Sequence, residues 1–330
     1  MCGILAVKPK GTMHLRQFHK YFKKYQHRGK DAYGYASYSK THYTHYRRSG
    51  KISEQWKNDE FESIIAHTRY TTNSSGDDYS ETQPLCGVTR DDVEFFIAHN
   101  GSLPHVDGFD SNTFVNILQN VYSHEIEDAL KYIIGEIPVA YSCVLCISGN
   151  IYAFKDSYGV RPLVLAENND GYFVASEPFG VSDAFIDVKP GEIVKVNNSG
   201  FESIYCSTNS KNCPCSLEYL YFMSDKNQHV SEMRKYLGEK LATKETLNFT
   251  DHIVIGIPES GITYGQAYAN KLNLQYIQWI NKTHPSERTF IEKNETRETQ
   301  VKNAFEFDKR LRGCKIILID DSIVRGTVMR

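Results

Sequence analysis

Short apolar runs crowd the first two-thirds of this 330-residue chain and then give way to a different rhythm. The runs at 2–7 (CGILAV), 63–68, 93–98, 140–147, 150–155, 162–166, 172–176 and 192–196 have the length and partial alternation of strands. Helical spacing interrupts them twice. Leu15, Phe18, Phe22 and Tyr25 mark one helix within 14–25, and Phe114, Ile117, Leu118 and Val121 mark another after a cap signal at Ser111. Many strands with helices set apart in blocks predict an α+β arrangement. The pattern changes after the cysteine-rich stretch 206–215. IVIGI at 253–257 leads through Pro-Glu-Ser-Gly into a helix-like segment reaching Leu272, and KIILI at 315–319 ends in Asp320-Asp321. Strand and helix in alternation predict βαβ units on a parallel sheet. Two domains are expected, 2–222 and 223–330, with the boundary near 216–230.

Composition narrows the functional classes. The chain is 40% hydrophobic and 24% charged, enough to build a sizeable core. Its formal net charge of −2 argues against a nucleic-acid binder that works by bulk electrostatics. No apolar run approaches the roughly 18 residues of a membrane span. The opening MCGILAVKPKG turns polar too soon for a signal peptide. A cytoplasmic chain with neither a membrane nor a nucleic-acid partner is the expectation. The eight cysteines are scattered, without the dense framework of a secreted scaffold, and fit that compartment.

Cys2 follows the initiator methionine, and a small second residue normally permits that methionine to be removed. The mature chain then begins with a thiol and a free α-amine on one residue. An α-amine has an ordinary pKa near 7.7–8.0 and can serve as a base close to neutrality, while a thiolate is the stronger nucleophile. Taken alone, Cys2 reads as a small buried residue, so its partners decide the matter. Candidates are His27-Arg28-Gly29-Lys30-Asp31, His67-Thr68-Arg69-Tyr70-Thr71-Thr72, Ser80-Glu81-Thr82-Gln83-Pro84 and His99-Asn100-Gly101-Ser102-Leu103.

In this order, MCGI, HRG-x-D, H-x-RY-x-T, SE-x-QP and HNG-x-L resemble the class II glutamine amidotransferase domains, which are N-terminal-nucleophile hydrolases. The resemblance implies an αββα sandwich in which Cys2 attacks the side-chain amide of glutamine. It implies that the Asn100 side chain and the Gly101 backbone N–H hold the oxyanion. The glutamine-binding set it implies is Arg28, Arg69, Thr72 and Asp110. Arg69 would grip the α-carboxylate as a planar fork, Asp110 the α-ammonium, and Arg28 would order the nucleophile end. Oxyanion donors matter because the charge they meet develops only in the transition state.

Ile316 to Thr327 reads IILIDDSIVRGT: an apolar strand delivers two carboxylates into a Gly/Thr turn. Such a turn can present backbone N–H groups to phosphate while the carboxylates take ribose hydroxyls. It resembles the phosphoribosyl-pyrophosphate motif of the type I phosphoribosyltransferases. That implies a substrate site at Asp320, Asp321, Ser322, Val324, Arg325, Gly326 and Thr327, completed by Glu259, Ser260 and Gly261. Magnesium would arrive with the substrate at Asp320 and Asp321.

The two halves together, with DSYGVRPL at 156–163, Ala175-Ser176-Glu177, CSLEYLYF at 215–222 and RTFI at 288–291, resemble the amidophosphoribosyltransferase family. The implied reaction converts glutamine and phosphoribosyl pyrophosphate to phosphoribosylamine, opening purine synthesis, with ammonia passed internally. A homo-oligomer is implied as well. Two alternatives stay open: a stand-alone glutaminase with a vestigial second half, and a non-catalytic phosphoribosyl-pyrophosphate regulator.

Some positions depart from that pattern. Tyr33 replaces a small residue before Gly34 and is expected to crowd the glutamine site. Only Ser102 to Phe109 separate HNG from Asp110. Asn281 to Glu287 and Val301 to Ala304 carry fewer basic residues than the pyrophosphate loops they match. Three residues follow Thr327, leaving no room for the helix that normally completes a phosphate cradle, so a piece of a longer reading frame is expected. Cys215 matches an iron–sulfur ligand of one branch of the family. Its fellow ligands would lie beyond Arg330, and Cys206, Cys213 and Cys215 have no usual metal spacing, so no cluster is expected.

Overall fold

A computed structural model describes all residues except 1, 41, 55, 72–80, 104–109, 183, 284–303 and 324–330. The chain divides into two compact units, Met1–Cys215 and Ser216–Arg330.

The first unit stacks two antiparallel sheets. One runs, edge to edge, Phe185–Asp187, Val164–Glu167, Gly171–Ala175, Gly3–Pro9, Ser63–Arg69, Ala32–Ser39 and His42–Ser49. The other runs Gly200–Cys206, Glu192–Asn197, Asn150–Lys155, Tyr141–Ile147, Glu94–Gly101 and Leu85–Val88. Alternation along each strand sorts its side chains between two faces. Ile4, Ala6, Ile65, Phe96, Ala98, Val144 and Ala153 meet in the core between the sheets. Leu5, Val7, Ile64 and Ala66 turn outward beneath helix α1 (Leu15–Phe22), whose Leu15, Phe18 and Phe22 are buried against them. On the opposite outer face, Phe95, Ile97, Cys143 and Leu145 pack under α2 (Ser111–Leu118) and α3 (Ile126–Glu136). The layers are therefore helix, sheet, sheet, helix, as the sequence led us to expect.

Two local expectations are corrected. Ser111 is the first residue of α2 rather than its cap; Asp110 occupies the cap position, and no side chain closes it. The reason is a stronger local demand, since the Ser111 hydroxyl bridges Gln83 Nε2 at 3.0 Å and His99 Nδ1 at 2.9 Å inside the protein. Tyr33 does not join the glutamine-site residues. Its strand position turns it outward, where it is wholly buried with Phe22 and Trp56 in the core beneath α1, and its hydroxyl accepts the Ser53 N–H at 3.2 Å.

The second unit is built on a parallel sheet ordered Gln275–Tyr276, His252–Gly256, Lys315–Ile319, with the central strand in register from His252 opposite Lys315 to Gly256 opposite Ile319. Helices α4 (Gln228–Thr243) and α5 (Gly261–Leu272) belong to this unit. The Asn227 side chain caps α4 by accepting the His229 N–H at 3.0 Å. Ala242, Val254, Tyr264, Tyr268 and Ile319 form its small core. A short antiparallel pair, Ile280–Lys282 with Phe305–Phe307, completes the described part. Among the described residues no helix is long and apolar enough to cross a membrane.

Candidate active site

Strand alternation places the first site. Counting in steps of two, back from inward-facing Ile4 and forward from inward-facing Ile65 and Ala98, brings Cys2, His67, Arg69 and Asn100 onto the inner faces of the two sheets, at one end of the sandwich. The Cys2 nitrogen donates to Asn100 Oδ1 at 3.1 Å across 98 residues of sequence. The Cys2 thiol lies 3.9 Å from the Tyr70 carbonyl oxygen. Asn100 is 1% exposed, and its Nδ2 is buried without a hydrogen-bond partner. A buried amide donor left over beside a thiol is an open position for an acceptor.

Gly101 follows, where no side chain could fit. A Cβ there would lie 2.1 Å from the Ala140 carbonyl oxygen and 2.9 Å from Tyr141 Cα. Asp156 supports that neighbouring segment, accepting the N–H groups of Tyr141 at 3.0 Å and Tyr158 at 2.8 Å. The backbone leading into Asn100 is held from its outer side. Gln83 Oε1 accepts the His99 N–H at 2.6 Å, and the His99 ring reaches Ser111 and packs on Phe114 at 5.0 Å. Burial drives the His99 pKa down to about 4, against the pull of Asp110. Burial likewise drives His67 down to about 3. Both rings are neutral at physiological pH.

The glutamine-binding candidates gather around this point unevenly. Arg69 is buried and its guanidinium pairs with the Glu81 carboxylate. Asp31 steadies the segment: its N–H donates to the Arg69 carbonyl at 3.1 Å, and its carboxylate accepts the Thr71 N–H at 2.7 Å. Asp110 Oδ2 accepts the Leu103 N–H at 3.0 Å, tying it to the stretch just past Gly101. Arg28 lies wholly buried with Nε donating to the Cys2 carbonyl at 3.1 Å and Nη1 to Glu177 at 3.2 Å. Thr72 lies outside the described residues. Gln83, Ser111, His99 and Glu177 were missed as site residues, although three of them stand within or beside quoted motifs and Glu177 within Ala175-Ser176-Glu177.

In the second unit, parallel strands deliver both motif loops to their carboxyl ends, where open α/β sheets bind ligands. The Ile257 N–H donates to the Ile319 carbonyl at 2.8 Å, drawing the two loops together. Gly261, the first residue of α5, packs so tightly there that a Cβ would lie 2.5 Å from the Ile319 oxygen and 3.3 Å from Asp320 Cα. Gly261 thus stands beside Asp320, with Glu259 and Ser260 immediately before it in the chain. Burial, then the neighbouring Asp321 charge, pushes the Asp320 pKa up to about 7. Asp320 Oδ1 accepts the Asp321 N–H at 2.9 Å, and the Ser322 hydroxyl donates to Asp321 at 2.6 Å. Val324, Arg325, Gly326 and Thr327 lie outside the described residues. Asp320 and Asp321 are adjacent oxygen donors of the kind a divalent cation takes, although among the described residues no cluster of three or more His, Cys, Asp or Glu side chains gathers to hold one. Cys206 and Cys213 are exposed and Cys215 half-buried.

No family model matches the chain. Its curated relatives include the amidophosphoribosyltransferase of Bacillus subtilis, 28% identical over 92% of this chain and 70% of the relative. That of Archaeoglobus fulgidus is 26% identical over 100% of this chain and 78% of the relative. That of Methanothermobacter thermautotrophicus is 28% identical over 100% and 76%. Among solved structures, the glutamine phosphoribosyl-pyrophosphate amidotransferase from B. subtilis complexed with ADP and GMP superposes with a TM-score of 0.83 at 26% identity, over 99% of this chain and 76% of that one.

Proposed function

We infer, from a sequence and a fold that match the amidophosphoribosyltransferases along more than nine-tenths of the chain, that this protein makes phosphoribosylamine from glutamine and phosphoribosyl pyrophosphate. The observation that carries the chemistry is Asn100: Oδ1 engaged by the Cys2 nitrogen, Nδ2 buried and unengaged.

With the initiator methionine removed, the Cys2 α-amine takes the thiol proton and Sγ attacks the glutamine side-chain carbonyl. The oxyanion is received by Asn100 Nδ2 and the Gly101 N–H. Collapse returns the proton to the leaving nitrogen, releasing ammonia and leaving a γ-glutamyl thioester on Cys2, which water hydrolyses to glutamate. Arg69 and Asp110, with Thr72, hold the α-carboxylate and α-ammonium of the substrate; the α-carboxylate takes the place Glu81 now has on Arg69. In the second unit Asp320 and Asp321 hold the ribose hydroxyls, and Glu259, Ser260 and Gly261 line the pyrophosphate side. Ammonia attacks the sugar C1 and pyrophosphate leaves. Asp320 and Asp321 would also hold a magnesium ion arriving with the substrate, which would supply charge neutralisation for the leaving pyrophosphate.

The test is glutamate release by the purified chain with and without phosphoribosyl pyrophosphate and magnesium. Strong stimulation is expected. Release indifferent to the sugar phosphate would leave a stand-alone glutaminase, and no release from a chain with Met1 removed would sink the reading.

A further inference from the structure

We propose that Glu177 is a positioning residue for the nucleophile, acting on Cys2 through Arg28; this rests on the glutaminase reading above.

The side chains of Arg28 and Glu177 are both 0% exposed. A guanidinium in a dry interior needs a counter-charge, and Glu177 supplies it: Nη1 donates to Oε1 at 3.2 Å. The same oxygen meets His27 Nε2 at 2.5 Å, and the Glu177 backbone carbonyl accepts the Tyr25 hydroxyl at 2.6 Å. Its neighbour is laced to the start of the first strand. Ser176 Oγ accepts the Ile4 N–H at 2.8 Å, and the Ser176 N–H donates to the Ile4 carbonyl at 3.0 Å. Glu177 is therefore fixed relative to residues two positions from the nucleophile.

What Arg28 does with its remaining reach is specific. Nε donates to the Cys2 carbonyl oxygen at 3.1 Å while Asn100 accepts from the Cys2 nitrogen at 3.1 Å. The nucleophile's backbone is held at both ends, by two side chains of different origin. The Sγ–Cβ arm alone keeps freedom to turn, so the thiol, the α-amine and the oxyanion donors stay in one geometry. Neutralising Glu177 takes a buried counter-charge from Arg28 and loosens the hold that keeps its guanidinium on the Cys2 carbonyl. This chain of contacts ends on the Cys2 backbone, so the loss is expected in kcat and not in glutamine affinity.

The experiment compares kcat and KM for glutamine hydrolysis in the full chain, wild type against Glu177→Gln and against the double variant Arg28→Met with Glu177→Met. Glu177→Gln should lower kcat on the order of 10- to 100-fold, as small misplacements of reacting groups do, with KM within about twofold. The double variant removes both buried charges and is expected to melt near the wild type, because an apolar pair can replace a buried ion pair. Its kcat should nonetheless stay as low as that of Glu177→Gln. Recovery of kcat in the double variant would show that the pair serves stability alone and overturn the proposal. So would Glu177→Gln with wild-type kcat, or with a change confined to KM. A wild type that releases no glutamate overturns the functional reading and this proposal with it, a result distinct from an active wild type indifferent to Glu177→Gln.

Discussion

Asn100 uses its two amide ends for different purposes, and that division is the residue-scale heart of the first site. Oδ1 holds the Cys2 nitrogen, and Nδ2 is left, buried, for an acceptor that arrives with the substrate. Asn100→Ala should therefore lower kcat for glutamine hydrolysis about 10²- to 10³-fold, the usual cost of one oxyanion donor, with little change in KM. A variant that lost only affinity would place Asn100 in substrate binding instead. Side-chain chemistry of this kind came from the family resemblance: MCGI, HRG-x-D, H-x-RY-x-T, SE-x-QP and HNG-x-L in that order imply it, whereas Cys2 taken alone reads as a small buried residue. Glu177 was legible only as part of the Ala175-Ser176-Glu177 landmark, without a role. Its carboxylate matters because it meets Arg28 across 149 residues, and nothing local announces that contact.

The strand Glu94–Gly101 shows what an element contributes. Its end is fastened by Gln83 and Ser111 on one side and passes the Ala140 carbonyl on the other. Gly101→Ala forces the neighbouring Val139–Tyr141 segment away, and we expect about 1–3 kcal/mol of lost stability from overpacking, read as a lower denaturant midpoint at unchanged slope. Wild-type stability in that variant would mean the segment yields freely. Most apolar strands were readable from their runs, whereas the hairpin Ala32–Ser39 with His42–Ser49 was not. Its second strand, HYTHYRRS, has no buried residue, so no alternation of apolar side chains announces it. Helix α4 escaped for a related reason: it buries Val230, Arg234, Gly238 and Ala242, a stripe of small and charged residues rather than an apolar one.

At the scale of the molecule, burial of two histidines gives the first unit an acid weakness. His67 and His99 have pKa values lowered to about 3 and about 4 in the fold, against 6.5 for the free side chain. Between those limits the unfolded chain binds protons that the folded chain does not. Stability is thus fully present above pH 6.5 and is lost as pH falls towards 4. Hydrogen-exchange protection in the strands Ser63–Arg69 and Glu94–Gly101, corrected for intrinsic rate, should drop over that range. Protection that stays constant from pH 6.5 to 4.5 would contradict this account.

The sequence by itself determined the chemistry available to this protein and the order in which it is met. Strand runs and the change of rhythm after residue 215 are local patterns that local physics suffices to read, whereas the quoted motifs take their roles from the family resemblance. The tertiary structure alone decided which side chains share a face. A slip of one residue in register would turn Asn100 out to the helices and His99 in to the thiol, and no local run of letters specifies that register. It is set by the fit of the two inner sheet faces, which brings Asn100 to one end of Cys2 and Arg28, held by Glu177, to the other.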